Sequence, residues 1–376
     1  MVWVCLALVV VAFVISAPGV RVVEHFSRRL GALDTEPLEG QVKFDRRSIP
    51  NTGGIGIYLA IALPIAAGIG AVHLIPDLLV RVAPALEAHL GGMREETSRA
   101  LTLLGSITLL HVLGLIDDRR PMGAMGKLVI MTLPALLVAW PAGPMDTRLL
   151  TMADGVAGGA WLSVVVTVLW FVAVTNAMNF IDNMDGLCAG VAAMAGACFL
   201  AAALLGGQWF VGATLALVVG ASLGFLVWNF PPARVFMGDG GSLVLGFTLA
   251  YLTVRTTYLP EGADAGQRWY ALLMPVVALA IPLYDMVSVT LVRLSQGKSP
   301  FKGDLQHFSH RLTQRGLTGR GAVLVIYGFT LVTGISGVLL VGATPAMAIL
   351  LGVQVAALLG VLALFEYGSR ARGLDG

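Results

Sequence analysis

The feature that most constrains the fold is a series of apolar runs, each about 20 residues long. One of them, WLSVVVTVLWFVAVTNAM, covers residues 161–178, and another, CAGVAAMAGACFLAAALL, covers residues 188–205. A helix of about 20 apolar residues is long enough to cross the hydrocarbon core of a bilayer. Because several such runs follow one another, the sequence predicts an all-α polytopic membrane protein.

The composition agrees with this class. The chain has 376 residues, of which 57% are hydrophobic and only 12% charged, and its mean hydropathy is +0.84. Soluble domains carry about 25% charged residues. The net charge of +2 is too small to suggest a nucleic-acid partner. All three cysteines lie in apolar runs without metal-ligand spacing, so they are interpreted as small hydrophobic residues.

We predict eleven spans within one integral-membrane domain covering residues 1–376. The first run has no basic residues before it, so it is interpreted as a retained span with its N-terminus outside, not as a signal peptide. The approximate bounds are 1–20, 53–77, 99–116, 123–140, 161–178, 187–205, 209–229, 241–257, 269–292, 321–342 and 346–366.

The distribution of cations supports this count. With the N-terminus outside and the C-terminus cytoplasmic, 18 of the 24 Lys and Arg residues fall on the cytoplasmic side. Cytoplasmic loops of membrane proteins carry such an excess. The other six lie outside and are Arg81, Arg94, Arg99, Arg148, Arg255 and Arg268.

With eleven spans and the N-terminus outside, four polar clusters fall on the cytoplasmic side: DDRR (117–120), NFIDNMDGL (179–187), FPPARVFMGDGGS (230–242) and SPFKGDLQHFSHRL (299–312). Asp117 and Asp118 end a helix, where carboxylates oppose the macrodipole. They are either an ion-pair cluster with the two following arginines or a cation or proton-transfer site.

The second and third clusters also leave two interpretations open. Asp182 and Asp185 would share one helix face, and Asp185 would alternatively cap the next helix. The glycines around Asp239 allow close approach to a phosphate, with a divalent metal beside it. Glycine and aspartate are equally common in ordinary turns.

Cations and single polar residues complete the candidates. His307, His310 and Arg311 present several donors that suit a diphosphate, although a solvated cytoplasmic loop also explains them. Arg46 precedes a Pro- and Gly-containing segment and is either a backbone clamp or a plain loop residue. Asp285 lies inside a predicted span, where ionised groups are usually functional. His111 is interpreted as a residue whose side chain makes a hydrogen bond to a neighbouring helix.

Five segments, taken in order, resemble the polyprenyl-phosphate N-acetylhexosamine-1-phosphate transferases: GLIDDRR, NAMNFIDNMDGLCAG, NFPPARVFMGDGGSLVLGF, IPLYD and SPFKGDLQHFSHRL. The resemblance covers nearly the whole chain. It implies transfer of N-acetylglucosamine 1-phosphate from UDP-N-acetylglucosamine to undecaprenyl phosphate, with release of UMP. The product is the first lipid-linked intermediate of a cell-envelope polysaccharide, made at the cytoplasmic face of the inner membrane.

The resemblance also implies roles for individual residues. Asn179 and Asp239 match the metal-contacting positions, with Mg²⁺ as the cofactor and Mn²⁺ as an alternative. Phe236 matches a ring that stacks on uracil. The catalytic carboxylates are Asp117, Asp118, Asp182 and Asp185, and the cationic substrate-binding residues are Arg46, His307, His310 and Arg311. The lipid bilayer is the other partner, and a homodimer is left open.

Two positions depart from the pattern common in this family. Ser309 stands where many relatives have His, and Asn183 stands where many have Gly. The single-sugar subgroup is preferred because the muramoyl-pentapeptide branch typically carries three consecutive histidines. That branch is the main alternative, and a cation-coupled transporter is a remote one. Asp117 and Asp118 are interpreted as electrostatic tuning of the lipid phosphate or as a general base.

Overall fold

The computed structural model describes residues 1–31, 49–141, 143, 145–256, 273–300, 305–340 and 343–367. Helix accounts for 81% of these residues, and no strand occurs among them. The helices are α1 (Val2–Arg29), α2 (Gly54–Leu74), α3 (Pro76–Val82), α4 (Leu90–Glu95), α5 (Thr97–Asp117), α6 (Ala124–Ala139), α7 (Asp154–Ala157), α8 (Trp161–Phe180), α9 (Leu187–Leu205), α10 (Trp209–Asn229), α11 (Asp239–Thr256), α12 (Leu273–Ala278), α13 (Ala280–Ser295), α14 (Phe308–Gln314), α15 (Gly319–Leu339) and α16 (Pro345–Tyr367). Two 3₁₀ helices cover Pro84–His89 and Thr151–Ala153.

Eight of these helices are long and apolar enough to cross a membrane, which confirms the multi-pass class: α1, α2, α5, α8, α9, α10, α15 and α16. The other three predicted spans correspond to α6, α11 and α13. Two of them, α6 and α13, have 16 residues each. α11 has 18 residues and carries a charged side chain in its first turn, Asp239, and another in its last turn, Arg255. The count of eleven therefore stays a prediction.

The interior of the bundle is formed by α9, α10 and α11. In the most apolar windows of α9 and α10, 78% and 72% of the residues are buried, against 17% in α1 and 22% in α16, and every residue of α11 from Gly240 to Val254 is buried. α9 is rich in Ala and Gly, and small residues let helices approach closely. Gly190 shows how closely, because a Cβ there would lie 1.9 Å from the Tyr327 ring of α15.

The first turn of α11 is packed between α2 and α5 without room for side chains. A Cβ on Gly114 of α5 would lie 2.3 Å from the backbone nitrogen of Gly240. His111, one turn earlier, stacks on Tyr58 with 4.3 Å between ring centroids, and its Nδ1 donates to the Gly240 carbonyl oxygen at 2.7 Å. This contact confirms the prediction of a helix–helix hydrogen bond at His111.

Candidate active site

Asp118 caps the start of α11. Its Oδ1 accepts the backbone N–H of Asp239 at 3.0 Å, and its Oδ2 lies 3.5 Å from the N–H of Gly240. The first N–H groups of a helix have no partner within the helix, so a carboxylate there stabilises it. Gly238 has φ of +68°, and a Cβ there would lie 2.5 Å from Asp118 Oδ2. Both observations explain why glycine precedes Asp239.

Asp117 points to a different partner. Its Oδ1 accepts the backbone N–H of Met122 at 2.8 Å, and its Oδ2 is 3.3 Å from Lys127 Nζ on α6. Lys127 Nζ also donates to Asp239 Oδ2. One partly buried cation thus bridges two of the predicted carboxylates. The predicted pairing of Asp117 with the arginines that follow it is not among these contacts.

Sequence reasoning does not predict Lys127 as a site residue, because there it is only one of the 18 cations on the cytoplasmic side. The signal was present, because it is the single charged residue in the run AMGKLVIMTLPALLVA. An ionisable residue inside an apolar helix usually has a function.

Asn179, in the last turn of α8, contacts the first residue of α11. Its Nδ2 donates to Asp239 Oδ1 at 2.7 Å and to Ser242 Oγ at 2.9 Å. The two residues that the resemblance assigns to the metal are therefore adjacent. Lys127 contacts the other Asp239 oxygen, so this carboxylate is the centre of the site. We call the assembled residues the acidic cluster: Asp117, Asp118, Lys127, Asn179, Asp182 and Asp239.

The cluster has more negative than positive charge. Burial raises the pKa of the Asp118 carboxyl to about 7, with a further contribution from the charge of Asp239. Burial also raises the pKa of Asp182, and the charges of Asp239, Asp118 and Asp185 add to this effect. Lys127 does not compensate for all of these carboxylates, so the cluster would attract a further cation.

The donor set fits a hard divalent cation. Among the described residues no group of three His, Cys, Asp or Glu side chains is arranged to hold a metal. Mg²⁺, however, commonly takes one or two carboxylates and completes its shell with substrate phosphates and water. Asn179 and Asp239 offer an amide and a carboxylate at 2.7 Å from each other, beside the carboxylate of Asp182, whose ionisation its acidic neighbours oppose.

Asp185 joins two loops. Its Oδ2 accepts the backbone N–H of Ala233 at 2.8 Å. The residue that precedes α9 is Gly186, whose φ is +76°, and no side-chain capping hydrogen bond is present there. The structure thus gives Asp185 a partner in the segment after α10.

Phe236 is held next to the acidic cluster by its backbone. Its N–H donates to the carbonyl oxygen of Pro50 at 2.8 Å, and its carbonyl accepts from Gly53 at 3.0 Å. Gly54 donates to the next carbonyl, that of Met237, at 2.9 Å. The start of α2 therefore fixes the segment that leads into Asp239.

Asp285 on α13 organises the start of α14. Its Oδ2 accepts from His307 Nδ1 at 2.9 Å, and its Oδ1 accepts the N–H of Phe308 at 2.5 Å. His307 also meets the ring of Phe180 edge-on, with centroids 5.8 Å apart. His310 lies one turn later, 6.4 Å from His307 between ring centroids. Both histidines are buried.

Arg311 contacts α16 and α13 and not the acidic cluster. Its guanidinium contacts Glu366 of α16, with Nε 3.0 Å from Oε2, and donates to Ser288 Oγ at 2.8 Å. The structure does not bring Arg311 together with the acidic cluster. Arg46, the remaining predicted substrate-binding residue, lies outside the described residues.

The two positions that depart from the family pattern contact each other. Ser309 Oγ donates to Asn183 Oδ1, and Asn183 Nδ2 donates to the Phe180 carbonyl at 2.7 Å. α14 is thereby joined to the acidic loop, by which we mean residues 179–186. The sequence shows that Ser309 and Asn183 each depart from the family pattern, but it does not show that their side chains form a hydrogen bond.

Comparison with known proteins gives a consistent result. The sequence model of glycosyl transferase family 4 matches residues 100–257, a range that contains the acidic cluster. A probable undecaprenyl-phosphate N-acetylglucosaminyl 1-phosphate transferase of Bacillus subtilis is 29% identical over 341 residues, which is 89% of this chain and 86% of the relative.

Two further relatives have related names. The decaprenyl-phosphate N-acetylglucosaminephosphotransferase of Mycobacterium tuberculosis is 32% identical over 328 residues, 81% of this chain and 74% of the relative. The undecaprenyl-phosphate alpha-N-acetylglucosaminyl 1-phosphate transferase of Escherichia coli is 28% identical over 292 residues, 74% of this chain and 69% of the relative. With this similarity across most of both chains, and with the acidic cluster assembled, the chain belongs to glycosyl transferase family 4, among its polyprenyl-phosphate N-acetylhexosamine-1-phosphate transferases.

Proposed function

We propose that the protein transfers N-acetylglucosamine 1-phosphate from UDP-N-acetylglucosamine to a polyprenyl phosphate, undecaprenyl phosphate in a bacterial membrane. The observation that carries this proposal is the convergence of Asp118, Lys127, Asn179 and Asp239 from four different helices. A compact acidic cluster with one partly buried lysine suits two phosphate-bearing substrates that meet beside a cation. The names of the relatives supply the acceptor and the sugar.

In the reaction, an oxygen of the lipid phosphate forms a bond to the β-phosphorus of the donor. The bond between that phosphorus and the bridging oxygen breaks, and its electron pair leaves with UMP. A phosphate monoester has its second pKa near 6, so it is already mostly dianionic at pH 7. A general base therefore contributes little. Asp118 is already committed to capping α11, which favours the electrostatic role over the base role for this residue.

The chain's own residues bind and orient the substrates. Lys127 supplies a positive charge beside Asp117 and Asp239, and Phe236 is held at the same end for stacking on the base. Asn179 and Asp239 would hold Mg²⁺, which when bound neutralises phosphate charge as a Lewis acid.

Metal removal is expected to silence the enzyme. EDTA treatment of the purified protein should lower the initial rate by at least about 100-fold, the loss usual when a major electrostatic stabiliser of the transition state is removed. Mg²⁺ in excess should restore it. Initial rates of UMP release measure both steps. Full turnover in chelated, metal-free buffer contradicts the cofactor assignment.

The donor assay tests the function directly. Radiolabelled UDP-N-acetylglucosamine and UDP-N-acetylmuramoyl-pentapeptide are each incubated with the purified protein and undecaprenyl phosphate, and the lipid product is extracted. We expect label in the lipid phase from the first donor only, because the described loops include none dedicated to a peptide. Equal product from the pentapeptide donor would place the protein in the muramoyl branch.

We also infer that eleven helices cross the inner membrane, with the N-terminus outside and the site in the cytoplasm. The 18 cations predicted inside support this orientation. The contacts support the predicted alternation of spans, because the ends of helices that should face the cytoplasm meet at the site. α5 ends at Asp117 and α8 ends near Asn179, whereas α6 begins near Lys127 and α11 begins at Asp239. At the other end, His73 of α2 contacts Thr97 of α5 at 2.9 Å.

Cysteine labelling tests the orientation. Arg94 and Lys298 are both exposed, and Cys5, Cys188 and Cys198 are buried, so background labelling should be low. In intact cells a membrane-impermeant maleimide should label the Arg94→Cys protein and not the Lys298→Cys protein. Labelling of both variants from the same side refutes the count of eleven.

A further inference from the structure

A buried ion pair joins α14 to α16. Arg311 Nη2 lies 2.9 Å from Glu366 Oε2, and the exposed fractions of the two side chains are 6% and 0%. Tyr284 of α13 donates its hydroxyl to the same Glu366 oxygen at 3.0 Å. The pair therefore connects three helices at one point.

Every nitrogen of the Arg311 guanidinium has a protein acceptor. Nε bonds Glu366 at 3.0 Å, Nη2 bonds Ser288 Oγ at 2.8 Å, and Nη1 donates to the Gln306 carbonyl oxygen. The planar fork of arginine is suited to several fixed acceptors at once. With these partners and little exposure, the group is set into the helix bundle and not toward a ligand.

The position of Glu366 is unusual for its helix. Only 22% of the most apolar window of α16 is buried, and Glu366 ends an otherwise apolar stretch. Burying a lone carboxylate there is costly, and such residues are normally retained for a partner. Arg315 adds a second contact from the same side, because its Nη2 donates to the Glu366 carbonyl oxygen.

α14 in turn contacts the acidic loop. Ser309 donates to Asn183, and the His307 ring contacts Phe180. A continuous set of contacts thus runs from α16 through α14 to the residues beside Asp182. A shift of α14 would move His307 and Ser309 relative to the acidic loop.

We propose that Arg311, Glu366 and Tyr284 form a latch by which α16 holds α14 against the acidic loop. Arg311 is then a positioning residue and not a ligand of the diphosphate. The second statement rests on the proposed transferase function, whereas the first concerns the fold alone. The latch makes α16, which lies outside the range matched by the family model, part of the active-site assembly.

Steady-state kinetics of the full-length protein separate the two roles. Arg311→Met and Glu366→Met should each lower kcat/KM by tenfold or more, with the same division between kcat and KM, because both release α14. Replacing a whole buried ion pair by apolar residues is often neutral, whereas removal of one partner leaves a buried charge. The protein that carries both substitutions should therefore have a kcat/KM at least threefold higher than that of either single variant.

A diphosphate ligand would behave differently. Arg311→Met would then raise KM for UDP-N-acetylglucosamine, Glu366→Met would keep wild-type constants, and the double variant would be no better than Arg311→Met; this result overturns the proposal. Tyr284→Phe is a milder variant that preserves the fold and should lower kcat/KM by about two- to fivefold. The matched control is Glu96→Gln, which removes the negative charge that pairs with Arg99 and Arg255 at the other end of the bundle. This variant should keep the wild-type kcat/KM.

Hydrogen–deuterium exchange tests the latch without any substrate. Backbone amides of residues 308–314 should exchange at least tenfold faster in Glu366→Met than in the wild type and in Glu96→Gln. Unchanged exchange overturns the latch even if the enzyme is active. Faster exchange with no wild-type turnover of UDP-N-acetylglucosamine supports the latch and overturns the proposed function instead.

Discussion

Asp239→Asn is expected to lower kcat by about 10²–10³, the range seen when one preorganised electrostatic group is removed from a transition state. Asp239 is the residue on which Lys127 and Asn179 both converge. Asparagine has nearly the same volume and keeps the backbone N–H that Asp118 caps, so α11 should still form. The measurements are kcat with saturating donor and acceptor, and Tm.

The control is Asp154→Asn. Asp154 also pairs with a cation, Arg148, at 2.5 Å, but it lies near the start of α8, at the end of the bundle remote from the site. It should keep the wild-type kcat. An Asp239→Asn protein with wild-type kcat shows that the acidic cluster is not the reaction centre, whereas a large fall in Tm shows that Asp239 acts through the fold.

Gly114→Ala, which replaces one hydrogen atom by a methyl group, is expected to displace the start of α11. The new Cβ would lie 2.3 Å from the Gly240 nitrogen and 2.4 Å from the Asp239 carbonyl carbon. Neither backbone atom can move unless α11 moves, and overpacking of this kind costs about 1–3 kcal/mol. Since displacing a reacting group by about 1 Å costs about 100-fold in rate, kcat should fall by a similar factor.

Gly105→Ala is the matched control for this prediction. Gly105 lies on the same helix, α5, and a Cβ there would meet nothing within 4 Å. Both substitutions change the intrinsic helix preference by the same amount, so any difference between them comes from the contact with α11. Equal activity of the two variants, measured as kcat with Tm alongside, means that α5 and α11 are not in the described contact.

The fold was largely predictable because hydrophobic length is a local property. Each of the eleven predicted spans overlaps a helix of at least 16 residues. α11 begins at Asp239, two residues before the predicted span 241–257. The sequence could not show that Gly114 and Gly240 touch, because this contact depends on how two helices are packed. It also did not predict the short helices between α2 and α5.

The site was predictable in its members but not in their partners. Asn179 and Asp239 were predicted to act together, and the structure places them in hydrogen-bond contact. Asp118 and Arg311 have protein partners that lie 121 and 55 residues away in the chain. No local pattern contains such pairings. Lys127 and Glu366 carried a local signal, a lone charge in an apolar run, but the signal does not name the opposite charge.

The capping of α11 by Asp118 has a consequence for the order of synthesis. Asp118 emerges from the ribosome long before Asp239, and until α11 follows, its carboxylate has no helix start to stabilise. The acidic cluster can form once α11 has been synthesised, whereas α14 and α16 are synthesised later still. A nascent chain therefore passes through a stage in which the residues of the acidic cluster are all present but the latch residues of α13, α14 and α16 are not.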